Sequence, residues 1–233
     1  MGKKTIGIIG GMGPLATVEL FHKLVVLTNA ASDSEHIHIL VDNFPQIPDR
    51  TAAILEGSDR PVSHIVEAGN RLIRAGAELL LIPCNTSHYY YDQIAAALSV
   101  PVLNMLQLTA VHLQKEGVKR VGLLATDGTI QTRVFANAFA GVGIETLCPD
   151  PSGQQMVMHM IYREIKAGKK ADCRPIERVM DALRAQGAER IVLGCTELPL
   201  AFSPTMKSDM VDPAHLLALE AIRRAGYETV VTR

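Results

Sequence analysis

The sequence predicts an α/β protein made of two pseudo-symmetric three-layer domains with mostly parallel sheets. Three observations support this prediction. Short β-branched runs alternate with stretches of helical periodicity along the whole chain. The run Leu79–Ile82 is continuously apolar, as in strands buried on both faces of a parallel sheet. A stretch of the first half also recurs in the second. Strand–helix units in this order place helices on both faces of a sheet.

The first half opens with a predicted strand, Thr5–Ile9, and a glycine turn over 10–13. Pro14 follows where a helix favours proline, so a helix is predicted from Leu15 to about Asn29. The segment Asn43–Arg50 holds two prolines and is predicted to be a loop. The remaining elements predicted for this half are a strand at His36–Val41, a helix at about Val62–Ala75, and strands at Leu79–Ile82 and Pro101–Leu103.

The same alternation resumes at Arg120, with a strand over Val121–Ala125 and a last helix over about Pro213–Gly226. The segment 75–84 aligns with 186–195, and Gly, Ala, Glu and Cys match identically. This indicates an internal duplication. We therefore predict a first domain of residues 1–104 plus 213–233 and a second domain of residues 105–212.

Composition excludes several classes of protein. The 233 residues carry 23 Lys+Arg and 24 Asp+Glu, so no basic field favours nucleic acid or an anionic membrane. The longest uncharged stretch, 93–114, contains Pro101 and several polar residues, which argues against a membrane span. With no secretory signal evident, we expect a cytoplasmic protein. The four cysteines form no C-x-x-C pair, and His36 and His38 have no third ligand beside them, so no metal site is expected.

Two of the cysteines, Cys84 and Cys195, occupy equivalent positions of the repeat. Each follows a buried strand at its carboxyl end, where open α/β sheets bind ligands. Each also precedes polar residues typical of a helix start, which would lower the pKa of the thiol. Two thiols facing one ligand across a cleft between the domains suit inversion at a carbon that bears a proton. One group removes the proton and the other returns a proton to the opposite face. Cys148 and Cys173 have no such context.

The sequence resembles the aspartate/glutamate racemase superfamily, the cofactor-independent amino-acid racemases. The stretches that carry the resemblance are Ile8–Pro14, Pro45–Thr51, Pro83–His88, Ile165–Gly168 and Leu193–Leu198. The resemblance implies a pseudo-symmetric two-domain fold, no pyridoxal phosphate or other cofactor, and a homodimer. It also implies that the enzyme racemises an amino acid, with aspartate favoured as the substrate.

The resemblance implies roles for particular residues. Cys84 and Cys195 match the two acid/base cysteines. Asn85 and Thr86 match the positions that hold the substrate α-carboxylate. Arg50 matches the basic residue that binds the side-chain carboxylate. The other positions expected to contact substrate are Met12, Thr126, Lys166 and Thr196.

Several alternatives remain open. A broad-specificity or glutamate racemase would share the same framework. Gly11-x-Gly13-x-x-Ala16 matches a short dinucleotide fingerprint and would suit an NAD-dependent oxidoreductase, but Asp42 comes late for the acidic partner and follows a predicted loop. A non-catalytic amino-acid binding protein could also close two lobes on a ligand, without needing reactive thiols. Thiol redox chemistry would require the cysteines to touch.

Overall fold

The computed structural model describes residues 2–202 and 208–230 of the chain. Met1, 203–207 and 231–233, which fall inside the predicted domain ranges, lie outside the described residues. The chain divides into two compact units. Unit 1 is Met1–Met105 with Ala214–Arg233, and unit 2 is Leu106–Pro213.

The sheet of unit 1 has the strand order β2-β1-β3 and is parallel throughout. The central strand β1 is buried at every position, so it carries only glycine and isoleucine. Val102 adds one further parallel bridge, to Leu80 of β3. The strands are β1 (Ile6–Gly10), β2 (Ile39–Asn43) and β3 (Leu79–Leu81).

The helices of unit 1 complete strand–helix units around this sheet. They are α1 (Pro14–Leu27), α2 (Arg50–Leu55), α3 (Arg60–Arg74), α4 (Tyr91–Ala97) and α10 (Pro213–Arg224), which starts at the last residue of unit 2. Two 3₁₀ helices cover Asp33–Glu35 and Thr86–Tyr90. After α10 the chain bonds back to this unit, since the Val230 amide donates to the carbonyl of Leu27.

Unit 2 has its own parallel sheet, of order β5-β4-β6-β7. Its strands are β4 (Arg120–Leu124), β5 (Glu145–Leu147), β6 (Arg190–Leu193) and β7 (Met210–Val211). Its helices are α5 (Met105–Lys115), which starts at the last residue of unit 1, α6 (Asp127–Gln131), α7 (Val134–Ala140), α8 (Pro151–His159) and α9 (Arg174–Ala185). A π-helix spans Met160–Ile165 and a 3₁₀ helix spans Leu198–Ala201.

These two parallel sheets with flanking helices confirm the predicted α/β fold class. No helix in the described part of the chain combines the length and apolarity that a bilayer crossing requires.

Three local predictions need correction. The second strand is Ile39–Asn43 and not His36–Val41, because a 3₁₀ turn closes when the His36 amide donates to the Asp33 carbonyl. The segment predicted as a loop up to Arg50 ends one residue earlier, since Arg50 starts α2. The Asp49 carboxylate caps that helix by accepting from the Ala52 amide at 2.9 Å. Pro101–Leu103 contributes a single bridge at Val102 and not a full strand.

Candidate active site

The first cysteine loop begins directly after β3. Cys84 is buried, and its amide donates to the carbonyl of Ile82 at 2.8 Å, which turns the chain sharply away from the sheet. The carbonyl of Cys84 accepts two hydrogen bonds, from the Ser87 hydroxyl at 2.7 Å and from His88 Nδ1 at 2.9 Å. The backbone that carries the thiol is therefore fixed from its own loop.

His88 is a buried neutral imidazole that joins this loop to the start of α5. Its Nε2 lies 3.1 Å from the Met105 amide nitrogen, which can only donate, so Nε2 accepts and Nδ1 carries the proton. Burial lowers the pKa of His88 to about 4. His88 is a donor behind Cys84.

Asn85 is 2% exposed, and neither its amide nitrogen nor its amide oxygen has a hydrogen-bond partner in the structure. It sits at the N-terminal end of the 3₁₀ helix Thr86–Tyr90 without capping it. Buried amides are rarely left unpaired, because each lost hydrogen bond costs about 1–3 kcal/mol. Asn85 therefore has the properties expected of a group that a ligand satisfies. Thr86, the next residue, is also buried.

Three loops of unit 1 meet around Cys84. Met12, Ile47, Cys84 and Tyr90 belong to one buried cluster, so the loops after β1, after β2 and after β3 pack together. Gly11 is required at this contact, because its φ is +89° and an added Cβ would lie 2.3 Å from the backbone of Phe44.

Arg50 is placed near this cluster by α2, which packs against the 3₁₀ helix Thr86–Tyr90. The Arg50 residue is only 7% exposed. Its Nη1 donates to the carbonyls of Ile47 at 3.1 Å and Pro48 at 3.0 Å. These bonds hold the guanidinium in one orientation.

The second cysteine loop follows β6. Gly194 precedes the cysteine, and its amide donates to the carbonyl of Val192 at 3.0 Å. An added Cβ at Gly194 would lie 2.7 Å from Leu123 Cδ1 and 3.0 Å from Ala125 Cβ, so the loop passes closely over the end of β4. Cys195 is buried in the apolar cluster of unit 2.

Cys195 has an acidic neighbour two residues further on. Its thiol donates to Glu197 Oε2 at 3.0 Å, and Glu197 is itself buried. Lys166 Nζ lies 4.0 Å from Glu197 Oε1 and 4.6 Å from the centroid of the Tyr162 ring. Burial, and next the Glu197 charge, raise the pKa of the Cys195 thiol well above its ordinary value, while Lys166 acts in the opposite direction. The expected lowering of this pKa by a helix start is therefore wrong for Cys195. Only a short 3₁₀ helix follows it.

The remaining sequence candidates of unit 2 are two threonines. Thr126 is buried two residues after the end of β4 and caps α6, with its hydroxyl accepting from the Thr129 amide at 3.4 Å. Thr196 is buried beside Cys195, and its hydroxyl lies 3.4 Å from Glu197 Oε2. Both lie at carboxyl ends of adjacent parallel strands, the edge that binds ligands in open α/β sheets.

None of the four cysteines, all of which lie in the described part of the chain, forms a disulfide. Cys148 is exposed, and the Cys173 thiol donates to the Ala201 carbonyl at 3.0 Å. Within residues 2–202 and 208–230, no group of three or more His, Cys, Asp or Glu side chains is arranged to hold a metal ion.

Asp42, the acidic residue weighed for a nucleotide ribose, does not follow a loop as expected but lies within β2. Its carboxylate accepts from Arg71 Nε at 2.8 Å.

Sequence reasoning missed Glu197 as a site residue. The signal was present, since a carboxylate two positions after a candidate acid/base cysteine is close enough to contact it in a tight turn. The structure also groups the site residues by unit: Met12, Arg50, Cys84, Asn85 and Thr86 lie in unit 1, and Thr126, Lys166, Cys195 and Thr196 lie in unit 2.

A family model described as Asp/Glu/Hydantoin racemase matches residues 9–221. The chain belongs to that family. It is an amino-acid racemase, which confirms the resemblance seen in its motifs. Among solved structures, a Picrophilus torridus aspartate racemase is 33% identical, covers 97% of this chain and 96% of its own, and superposes with a TM-score of 0.87.

Two further relatives are also described as a racemase or a racemase homologue. An aspartate racemase homologue from Pyrococcus horikoshii OT3 is 25% identical with a TM-score of 0.79, over 96% of this chain and 99% of its own. The broad specificity amino-acid racemase RacX of Bacillus subtilis (strain 168) is 29% identical over 203 residues, which are 83% of this chain and 85% of that protein.

Proposed function

We propose that this racemase interconverts L- and D-aspartate, with Cys84 and Cys195 as its two acid/base groups. The observation that carries the proposal is the equivalent placement of the two buried thiols. Each lies in the loop at the carboxyl end of a strand that neighbours the first strand of its sheet, β3 beside β1 and β6 beside β4.

The proposed reaction moves one proton on each face of Cα. A thiolate takes the Cα proton, so that a C–H bond breaks and an S–H bond forms. The other thiol gives its proton to the opposite face, where an S–H bond breaks and the new C–H bond forms. The two thiols supply both proton-transfer groups, so the proposed reaction needs no pyridoxal phosphate.

The α-proton of an amino acid is only feebly acidic, so charge on the substrate α-carboxylate must be stabilised as the proton leaves. We assign this role to Asn85 and Thr86. The buried amide of Asn85, with both polar atoms lacking a partner in the structure, supports that assignment. Met12, Thr126 and Thr196 are proposed to line the same substrate.

The choice of aspartate rests on Arg50 and Lys166. A guanidinium oriented by two carbonyls suits bidentate binding of a side-chain carboxylate. The Picrophilus torridus aspartate racemase supports the same substrate. The similarity to RacX favours a second candidate function, broad-specificity racemisation, in which the same thiols act on several side chains. A glutamate racemase is a further form of the same proposal.

The test is proton NMR of the purified protein with L-aspartate and then D-aspartate in D2O, without added cofactor and under reducing conditions. Loss of the α-proton signal together with formation of the opposite enantiomer is the expected result. A panel of glutamate and neutral amino acids is run beside it. Comparable rates across the panel would replace aspartate by broad specificity.

Exchange with no amino acid of the panel would overturn the two-thiol proposal. Calorimetric binding of aspartate without exchange would then favour the non-catalytic binding function. Binding of NAD would favour the oxidoreductase, although the carboxylate of Asp42 already pairs with Arg71.

We also propose that the protein is a homodimer. The outer face of α1 supports this, because four apolar side chains project from it: Leu15, Val18, Phe21 and Val26 are 50%, 61%, 42% and 51% exposed. An exposed cluster of large apolar side chains commonly marks a protein–protein interface. Val18→Glu should shift the mass measured by light scattering from dimer to monomer. Leu55→Glu, an equally exposed apolar position on α2, serves as the control and should leave the dimer intact.

A further inference from the structure

The Cys195 thiol lies beside two opposite charges that come from different segments of unit 2. Glu197 belongs to the same loop and accepts the hydrogen bond of the thiol at 3.0 Å. Lys166 ends the π-helix Met160–Ile165, which packs against the 3₁₀ helix after Glu197. The ammonium of Lys166 lies 4.0 Å from the other carboxylate oxygen of Glu197. Thiol, carboxylate and ammonium thus form one chain of contacts.

A carboxylate has only acceptor oxygens, so the 3.0 Å contact is satisfied when the sulfur carries the proton. We infer that Glu197 and Lys166 set the protonation state of Cys195 in opposite directions, with Glu197 dominant, so that Cys195 is the acid of the resting enzyme and Cys84 its base. The role of Cys84 rests on the proposed function, because two-base chemistry needs the two thiols in opposite protonation states.

Glu197 and Lys166 supply the charges that shift the pKa of the Cys195 thiol, and apolar side chains surround the rest of it. The apolar cluster that encloses the cysteine takes its buried members from α8, the π-helix, α9, the strands β4 and β6, and the 3₁₀ helix Leu198–Ala201 with Phe202 after it. Tyr162, whose ring faces Lys166, and Cys173, whose thiol donates to a carbonyl, pack against the same cluster.

Burial strengthens the effect of both charges. Cys195 is 6% exposed and Glu197 2% exposed, so water screens little of their interaction. The pKa of the thiol is raised by burial first and by the Glu197 charge next, and lowered by Lys166. Glu197 and Lys166 act here through the cysteine and are therefore positioning residues.

The proton balance of one turnover follows from this assignment. Cys84 gains the Cα proton and Cys195 gives its own proton to the opposite face. The thiolate left at Cys195 is opposed by Glu197 and favoured by Lys166. Water then returns a proton to Cys195 and removes one from Cys84, which restores the resting enzyme with no net change.

The test is a pH titration of the protein labelled with ¹³C at cysteine Cβ, with the Cys195 signal assigned from Cys195→Ser. In the wild type the midpoint for Cys195 should lie above that of free cysteine in the same buffer. Glu197→Gln, which keeps the shape but removes the charge, should lower the midpoint by about one unit, a tenfold change in thiolate fraction. Lys166→Met should raise it. Asp181→Asn removes an exposed charge from α9 and should change nothing.

A midpoint at or below that of free cysteine in the wild type would overturn the inference without any variant. A midpoint in Glu197→Gln that is unchanged or higher than in the wild type would also overturn it. So would shifts of the same sign in Glu197→Gln and Lys166→Met, which a general loss of packing would produce. If Glu197→Gln does not fold, Glu197→Asp retains the charge and should keep a midpoint above that of free cysteine.

The titration needs no substrate, so its outcome is independent of whether aspartate is racemised. A separate kinetic measurement checks the assignment in turnover. In Glu197→Gln the loss of activity at high pH should begin at lower pH than in wild type, since the acid form of Cys195 is lost earlier. If activity is lost at the same high pH in Glu197→Gln and wild type, the role of Cys195 as the acid is contradicted.

Discussion

The two cysteine loops follow equivalent strands but are held by different chemistry. Neutral partners fix the Cys84 loop, because the Ser87 hydroxyl and the His88 imidazole both donate to the Cys84 carbonyl. The Cys195 loop instead places a carboxylate on the thiol itself. Two residues after each cysteine stand Thr86 in one loop and Glu197 in the other. We propose that the two units arose by duplication. Substitutions just after the cysteine then gave the two thiols different tendencies to hold a proton.

The largest effect that would test this comparison is loss of either thiol. Cys84→Ser and Cys195→Ser should each lower racemisation by at least about a thousandfold, because a serine hydroxyl is a far weaker acid/base group. Each variant should retain α-proton exchange with one enantiomer only, measured by NMR in D2O. Cys148→Ser, at an exposed cysteine, is the control. Normal racemisation in both site variants would disprove the two-base mechanism.

The next effect concerns the neutral imidazole of His88, which donates to the Cys84 carbonyl. The pKa of His88 is about 4 in the folded protein and near 6.5 when unfolded, so the unfolded chain binds the extra proton between those values. Stability should therefore fall as pH drops through this window, by about 3 kcal/mol in total.

Urea unfolding at several pH values measures this effect as the difference between the wild type and His88→Gln. The variant should lose this part of the pH dependence. His22→Gln, an exposed histidine on α1, should keep it. Equal slopes in the wild type and His88→Gln would mean that His88 titrates normally in the folded protein.

A smaller effect is expected at Asn85. Asn85→Leu removes the amide that we assign to the substrate carboxylate, so kcat/KM should fall about ten- to a hundredfold. Because the amide makes no hydrogen bond in the structure, the melting temperature should not fall. Lower stability with an unchanged kcat/KM would instead make Asn85 a structural residue of the Cys84 loop.

The smallest expected effect lies at the entry to the Cys195 loop. Gly194 aligns with Pro83 of the other loop. A Cβ atom added at Gly194 would lie within 3.1 Å of atoms of Leu123, Leu124 and Ala125, at the end of β4. Gly194→Ala should therefore cost about 1–3 kcal/mol of stability by overpacking. Gly141→Ala, where the nearest atoms lie at 3.5 Å, should change stability little. Denaturant midpoints of the two variants distinguish these outcomes.

The sequence predicted those features that follow from local pattern. Apolar runs and glycine turns located β1, β3, β4 and β6, and with them the positions of Cys84 and Cys195 at strand ends. Arg50 was assigned to a loop because two prolines lie just before it in the sequence. The helix cap at Asp49, which starts α2 at Arg50, was not recognised. The burial of His88 and Glu197 depends on tertiary packing and was not predictable, although the spacing of Glu197 from Cys195 already allowed their contact. The sign of the pKa shift at Cys195 was missed for the same reason.

The π-helix Met160–Ile165 has a consequence for how this chain compares with its relatives. A π-turn holds one residue more than an α-turn, and the Lys166 amide reaches back to the carbonyl of Ile161. Deleting a single residue there would restore regular α-geometry and leave the residues on either side of the turn, Lys166 included, on the same faces of the helix. A relative with a one-residue gap in an alignment at this segment would therefore lack the wide turn but keep its lysine on the same side of the helix.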